Sequence, residues 1–102
     1  KKLFIALFAC NDDMAIVAME VFMDEGIRVP EDISIIGFDD IPMASHVKPA
    51  LSTVNVPFYD MVTQVTEALI GKIEQGTKTF SNYTYPVKFI SRDTCAVKSS
   101  GI

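Results

Sequence analysis

The chain has few of the residue types that build metal centres or covalent cross-links. Its 102 residues include no tryptophan, one histidine (His46) and two cysteines (Cys10 and Cys95). The cysteines lie far apart and lack CxxC spacing, and one histidine cannot complete a metal site with them. We therefore expect no structural zinc, no disulfide, no other metal and no cofactor. We interpret the cysteines as two small apolar side chains in a reducing compartment.

Positive charge is also scarce, and long apolar runs are missing. Nine Lys and Arg residues oppose 13 Asp and Glu residues, which gives a net charge of -4. The basic residues are scattered, so this segment is not expected to grip DNA phosphates itself. No stretch is long enough to span a bilayer, and we expect no membrane partner. Residues 1–10 imitate a lipoprotein signal, but the apolar run is short and a helix start follows, which favours a buried strand.

The patterns that are present predict an α/β fold. Strands are expected at 3–9, 33–37, 51–56 and 83–92, and helices at 13–25 and 57–76. Asn11 or Asp12 would cap the first helix, Gly26 would end it, and Gly37 would let the chain turn after the second strand. The interval 41–49 is expected to be loop and short helical turn, because Pro42 and Pro49 restrict it, and 93–102 is expected to be a frayed tail. Because these elements make a thin sheet, we expect the chain to be a fragment.

Two polar clusters follow apolar strands, at the edge where open α/β sheets place their ligands. Asn11 and Asp12 follow the first strand, and Asp39 and Asp40 follow the second. Carboxylate and amide groups there can bind the hydroxyls of a sugar or the edge of a purine. The same residue types are favoured as helix caps and in turns. Residue identity alone leaves both interpretations open.

Acidic residues at strand ends also occur in metal-dependent hydrolases. The chain shows no partner nucleophile, no phosphate-cradling glycine-rich loop and no Ser-His pairing, so we expect that it is not an enzyme. An acidic-site phosphohydrolase stays as a third hypothesis, which phosphate release from generic substrates would test.

The first predicted helix is apolar on nearly every side. We expect one face to cover the sheet and another to meet a partner surface, because a lone helix in water would not carry so many apolar residues.

Four stretches of the chain resemble the LacI/GalR family of bacterial transcriptional regulators: residues 9–16, 26–40, 49–54 and 90–94. The resemblance implies a type I periplasmic-binding-protein-like domain with a parallel sheet flanked by helices, present here as the carboxyl-terminal part of a two-lobed effector domain. It assigns 1–50 to the carboxyl-terminal lobe, 51–56 to a hinge crossover, 57–82 to a helix of the amino-terminal lobe, and 83–102 to the return crossover and tail.

The function implied is that of a cytoplasmic regulator that binds a small sugar-like effector. Operator DNA would be bound only by a helix-turn-helix upstream of this segment. Asn11 and Asp39 match the family's effector contacts, and Asp12 and Asp40 match supporting positions. At the position of Val56 some sugar-responsive members of the family carry a polar contact at the hinge, whereas this chain has an apolar residue there.

The alternative function is that of a sugar-binding protein of a transport system with the same fold. The segment 30–34 favours the regulator.

The resemblance also implies a homodimer. Its dimer-forming surface is matched by residues on the first helix and in the following loop: Ile16, Glu20, Met43, His46 and Val47.

Overall fold

A computed structural model describes residues 5–79 and 81–97. The elements, in chain order, are β1 (Ala6–Phe8), α1 (Asp12–Asp24), β2 (Ser34–Ile36), a 3₁₀ turn (Pro42–Ser45), β3 (Thr53–Asn55), α2 (Phe58–Gln75) and β4 (Lys88–Ile90). The described residues form two units: the first contains 5–55 and 88–97, and the second contains 56–79 and 81–87.

The first unit is built on short paired strands. β1 and β2 are parallel, with Leu7 opposite Ile35, and α1 lies between them in the chain, which makes a β-α-β unit. The chain through β3 runs parallel to the end of β2 and the segment after it, because Ser52 bridges Ile36 and Asn55 bridges Asp39. β3 also pairs with β4 in antiparallel register. The predicted strand at 3–9 is observed over Ala6–Phe8, and its first two residues lie outside the described residues.

Helix α1 begins and ends where the sequence indicates. Asn11 is the N-cap residue, and its side chain accepts a hydrogen bond from the Met14 amide. Gly26 has φ 78°, a conformation that costs glycine little, and its amide bonds the Met23 carbonyl. The following amide, that of Ile27, bonds the Phe22 carbonyl, which completes a Schellman motif.

The core of the first unit lies between α1 and the β1–β2 pair. Ala15 and Met19 supply the buried side of the helix, and Ile35 supplies the centre of the strand pair. The opposite side of α1 is exposed, as the all-round apolar pattern predicted. The buried apolar residues are Ala9, Ala15, Met19, Val29, Ile33, Ile35, Ala44 and Leu51.

The second unit contains α2 and the segment that follows it. Pro57 occupies the N-cap position, so the helix begins one residue later than predicted, and it ends before Gly76 as expected. Within α2, which is described along its whole length, no residue is buried. Of the helices in the described part of the chain, none combines the length and apolar character that crossing a bilayer requires.

The last predicted strand is observed, but it is shorter than expected. Within 83–92 it is confined to Lys88–Ile90, and Pro86, which has no amide hydrogen to donate, lies in the irregular segment before it. Residues 93–97 are not a frayed tail. Thr94 is fully buried: its hydroxyl donates to the Ile35 carbonyl at 2.7 Å and accepts from the Ser52 amide at 2.9 Å. The rest of the predicted tail, 98–102, lies outside the described residues.

Candidate functional site

The two polar clusters lie side by side at the carboxyl ends of β1 and β2. Phe8 and Ile36 are the last paired residues of these strands, and Asn11 and Asp39 each follow three residues later. The segments stay adjacent beyond the strands, because the Asp12 amide donates to the Phe38 carbonyl at 3.1 Å. Parallel pairing thus brings Asn11 and Asp39 to the same edge of the sheet.

Asn11 has one polar atom engaged and one available. Its Oδ1 accepts the Met14 amide at 2.9 Å, so the residue acts as a helix cap. Its Nδ2 atom is a donor that the cap does not use. The two interpretations of Asn11 are therefore compatible, since one side chain can cap α1 and still donate a hydrogen bond to a ligand.

Asp12 is fully buried and tied to protein groups on both oxygens. The Thr53 hydroxyl donates to Oδ1 at 2.5 Å, and the Ile41 amide donates to Oδ2 at 2.8 Å. A Cβ atom on Gly37 would lie 2.1 Å from Asp12 Oδ1. Gly37 therefore makes room for this carboxyl group; its φ is not positive, so the turn that we predicted for it is not its role.

Asp39 has an unusual backbone and an uncommitted carboxyl group. Its φ is 121°, a region that costs a residue with a side chain about 1–3 kcal/mol. Burial raises the pKa of Asp39, and the negative charges of Asp12 and Asp13 raise it further. Within the described residues its carboxyl group has no hydrogen-bond partner, whereas its amide donates to the Val54 carbonyl at 2.9 Å. The side chain can therefore accept hydrogen bonds from an incoming ligand.

Asp40 is committed to an ion pair and an amide. Arg92 Nη2 donates to Oδ1 at 2.9 Å and Asn55 Nδ2 donates to Oδ2 at 2.9 Å. Burial by itself raises the pKa of Asp40, but the hydrogen bonds from Asn55 and Arg92 and the Arg92 charge outweigh it and lower the pKa below its usual value.

Sequence reasoning missed the partners of these carboxyl groups. The sequence marks Thr53 and Asn55 only as strand residues, and it marks Arg92 and Thr94 only through the family resemblance at 90–94. The pattern at 90–94 was the one signal that could have singled out Arg92. Nothing in the local sequence connects Arg92 with Asp40, because the two are 52 positions apart.

The residues predicted to form a dimer surface are distributed over α1 and the 3₁₀ turn. Glu20, Met43 and His46 are exposed, while Ile16 and Val47 are half-buried and pack against the core. Ile16, Glu20 and Val47 border one shallow surface depression.

Comparisons with known proteins agree with the resemblance found in the sequence. Residues 2–95 match the family described as periplasmic binding protein-like domain. The chain is 43% identical over 100 residues to the HTH-type transcriptional regulator AscG of Escherichia coli (strain K12). This match covers 94% of the chain and 28% of AscG. The chain is 38% identical over 88 residues to the ribose operon repressor of Halalkalibacterium halodurans, covering 86% of this chain and 27% of that protein.

A solved structure agrees as well. A LacI family transcriptional regulator from Enterococcus faecalis with bound ribose matches 94% of this chain and 36% of its own chain, with a TM-score of 0.87 and 32% sequence identity. The chain spans about a quarter of the length of the relatives it matches, at 28% and 27%. The chain therefore belongs to the periplasmic binding protein-like domain family, in the form that this domain takes in LacI/GalR-type regulators.

Proposed function

We propose that this chain is the effector-sensing part of a LacI-type transcriptional regulator, and that its ligand is a small sugar-like molecule. One observation carries the proposal. At the shared edge of β1 and β2, Asp12 and Asp40 are committed to protein partners, while Asp39 and Nδ2 of Asn11 are open to a ligand. Two groups thus recognise the ligand and two support them.

This donor and acceptor set suits a polyhydroxylated ligand. Sugar hydroxyl groups donate to a carboxylate and accept from an amide, and a ligand that leaves either group unpaired loses affinity. The ribose operon repressor and the ribose-bound regulator among the similar proteins support a sugar as the class of ligand. Ribose itself is a first candidate to test.

The division into two units supports a hinge mechanism. The units meet in sequence after Asn55 and before Lys88, where β3 and β4 pair. In the proposal the segments 51–56 and 83–92 cross between two lobes, and α2 belongs to the amino-terminal lobe. The exposed apolar residues of α2, such as Val62 and Ile73, would then be covered by parts of the protein outside this chain. Effector binding regulates DNA affinity only if it favours one lobe arrangement over the other.

The ligand role of Asp39 can be tested in the complete protein. Titration with D-ribose and a panel of other pentoses and hexoses, followed by calorimetry, identifies the sugar that binds. We expect Asp39→Asn to weaken that binding at least about tenfold, since a charge-assisted hydrogen bond is lost. Asp24→Asn makes the same change at an exposed position near the end of α1 and should bind like the wild type. Wild-type affinity in Asp39→Asn would contradict the proposal.

The alternative function, a sugar-binding protein of a transport system, is not favoured, because the similar proteins named above are transcriptional regulators. The coding sequence upstream of residue 1 discriminates the two. A helix-turn-helix there supports a cytoplasmic, non-enzymatic regulator that binds operator DNA, whereas a secretory signal would support transport.

We also propose that the complete protein is a homodimer. Met43 is 54% exposed, and it lies with Glu20 and His46 on the surface predicted to form the dimer. Met43→Asp should raise the dimer dissociation constant at least about tenfold, because the charge must be desolvated at the interface. Val97→Asp, at a residue 97% exposed and outside this surface, is the matched control. Analytical ultracentrifugation measures both, and a Met43→Asp dimer of wild-type affinity would contradict the assignment.

A further inference from the structure

Asp39 and Asp40 both have a positive φ, which is uncommon for residues other than glycine. Their φ angles are 121° and 62°, and no other non-glycine residue in the described ranges has a positive φ. Such conformations persist only where the surroundings impose them. Asp39 is also the proposed effector contact, so whatever imposes its backbone conformation also orients its carboxyl group.

The constraints on this pair come from chain segments distant in sequence. The Asp39 amide is held by the Val54 carbonyl at 2.9 Å. The two carboxyl oxygens of Asp40 are held separately, one by Asn55 and one by Arg92, each at 2.9 Å. The backbone around Asp39 is therefore fixed from β3 on one side and from the segment after β4 on the other.

Arg92 is itself fixed by several contacts. Its Nη1 atom donates to the Leu51 carbonyl at 2.9 Å while Nη2 bonds Asp40, and its backbone amide donates to Ser52 Oγ at 2.8 Å. The side chains of Arg92 and Asp40 are only 20% and 15% exposed. A planar guanidinium can reach two separate acceptors at once, which the single ammonium of a lysine does not reproduce.

We infer that Arg92 is a positioning residue of the effector site: through Asp40 it holds Asp39 in its positive-φ conformation, so that Asp39 meets the hydroxyl groups of the ligand in one orientation. Arg92 acts without contacting the effector. Fixing a binding group before the ligand arrives improves affinity, since less conformational freedom is lost on binding. The inference rests on the proposed function for its role in binding, and on the structure alone for its effect on Asp39.

The other arginine of the chain supplies a matched control. Arg28 also forms an ion pair with an aspartate, Asp32, at 2.9 Å, but its side chain is 70% exposed and the pair lies four residues apart on a surface turn. Arg28→Met therefore removes the same charge and an ion pair with the same 2.9 Å distance. The change lies 11 positions or more from Asp39 and Asp40 in sequence. Any general effect of losing an arginine appears equally in Arg28→Met.

Amide hydrogen exchange of the complete protein tests the inference without a ligand. The reporter is the Asp39 amide, and the internal reference is the Ile27 amide, which bonds the Phe22 carbonyl at 2.8 Å at the far end of α1. In Arg92→Met we expect exchange at Asp39 to accelerate at least about tenfold relative to Ile27. Arg92→Lys should fall between this variant and the wild type, and Arg28→Met should stay within about twofold of the wild type.

Several results would overturn the inference. An unchanged ratio of Asp39 to Ile27 exchange in Arg92→Met would do so, as would an equal acceleration in Arg28→Met. A purely structural role for Arg92 would accelerate both amides together and leave the ratio unchanged. If Arg92→Met does not fold, Arg92→Lys provides the same comparison, and a wild-type ratio in that variant counts against the inference.

Sugar titration then separates this inference from the proposed function. For whichever of D-ribose, D-galactose and D-xylose binds the wild type, Arg92→Met should raise the dissociation constant at least about tenfold, while Arg28→Met should leave it unchanged. If Asp39 exchange accelerates but sugar affinity is unchanged, the claim that Arg92 positions the site for binding is wrong. If the wild type binds none of them, the sugar proposal fails, and the exchange ratio still decides whether Arg92 holds Asp39.

Discussion

Substituting Gly37 by alanine should be among the most damaging single-methyl changes in this chain. Gly37 follows β2 and faces the fully buried Asp12. An added Cβ would lie 2.1 Å from Asp12 Oδ1, 3.0 Å from Leu51 Cδ2 and 3.2 Å from Asp12 Cα. Because the φ of Gly37 is not positive, the backbone itself would accept alanine, and the whole penalty is steric.

The magnitude follows from how far the Asp12 carboxyl group must move. Ordinary contact begins near 3.4 Å, so Oδ1 would have to retreat by the difference from 2.1 Å, about 1.3 Å. The Thr53 hydroxyl bond to that oxygen is 2.5 Å long, and such bonds extend only to about 3.0 Å. Overpacking costs about 1–3 kcal/mol, and losing a buried hydrogen bond to a carboxylate costs about 1.5–3 kcal/mol. We therefore expect Gly37→Ala to lower the free energy of unfolding by about 3–5 kcal/mol.

Urea denaturation of the complete protein, followed by circular dichroism, measures this loss. A double-mutant cycle with Asp12→Ala tests its cause, since removing the carboxyl group removes the closest contact. Gly37→Ala should cost at least about 2 kcal/mol less in the Asp12→Ala background than in the wild type. A Gly37→Ala midpoint equal to that of the wild type, or a cost that is the same in both backgrounds, would show that the added methyl group does not clash with Asp12.

Three further outcomes follow from the same contacts. Asp39→Gly should be about 1–3 kcal/mol more stable than Asp39→Ala, because glycine adopts a positive φ without that cost, and equal urea midpoints would contradict the strain. The lowered pKa of Asp40 stabilises the fold fully above about pH 4, and this stabilisation is lost as the pH falls through the lower pKa of the folded state. The difference in the free energy of unfolding between the wild type and Asp40→Asn should therefore become smaller below about pH 4, as acid unfolding curves can measure; a difference that does not change with pH would contradict this. Thr94→Val removes two buried hydrogen bonds and should cost about 1–3 kcal/mol in thermal or urea unfolding, whereas Thr79→Val at an exposed position should change stability by less than about 0.5 kcal/mol.

Local signals predicted the first half of the fold well. An asparagine after an apolar run, with a glycine 15 residues later, correctly bounded α1. Both are short-range effects, since a cap bonds an amide three residues away and a Schellman glycine bonds the preceding turn. The apolar runs through Leu7 and Ile35 similarly indicated parallel strands, which pair as expected. The first strand is not buried as predicted, however, since Phe8 is 66% exposed.

Local signals failed where distant segments decide the structure. The polar composition of 93–97 reads as a tail, yet Thr94 is buried because β2 and the segment before β3 supply its hydrogen-bond partners. Gly37 reads as a turn residue, yet what requires glycine there is a carboxyl group 25 positions earlier in the chain. Both contacts join residues that are far apart in the sequence, so a pattern read over a short stretch of the chain predicts neither.

That Asn11 and Asp39 each follow an apolar strand can be predicted from residue order alone, because apolar runs and capping residues are local patterns. Which carboxyl group has no protein partner among the described residues depends on contacts between distant segments. Asp12 is engaged by Thr53, 41 positions away, and Asp40 by Arg92, 52 positions away, which leaves Asp39 uncommitted. A side chain's hydrogen-bond partner depends on which segments pack together in space, and residue order specifies that packing only through the whole fold.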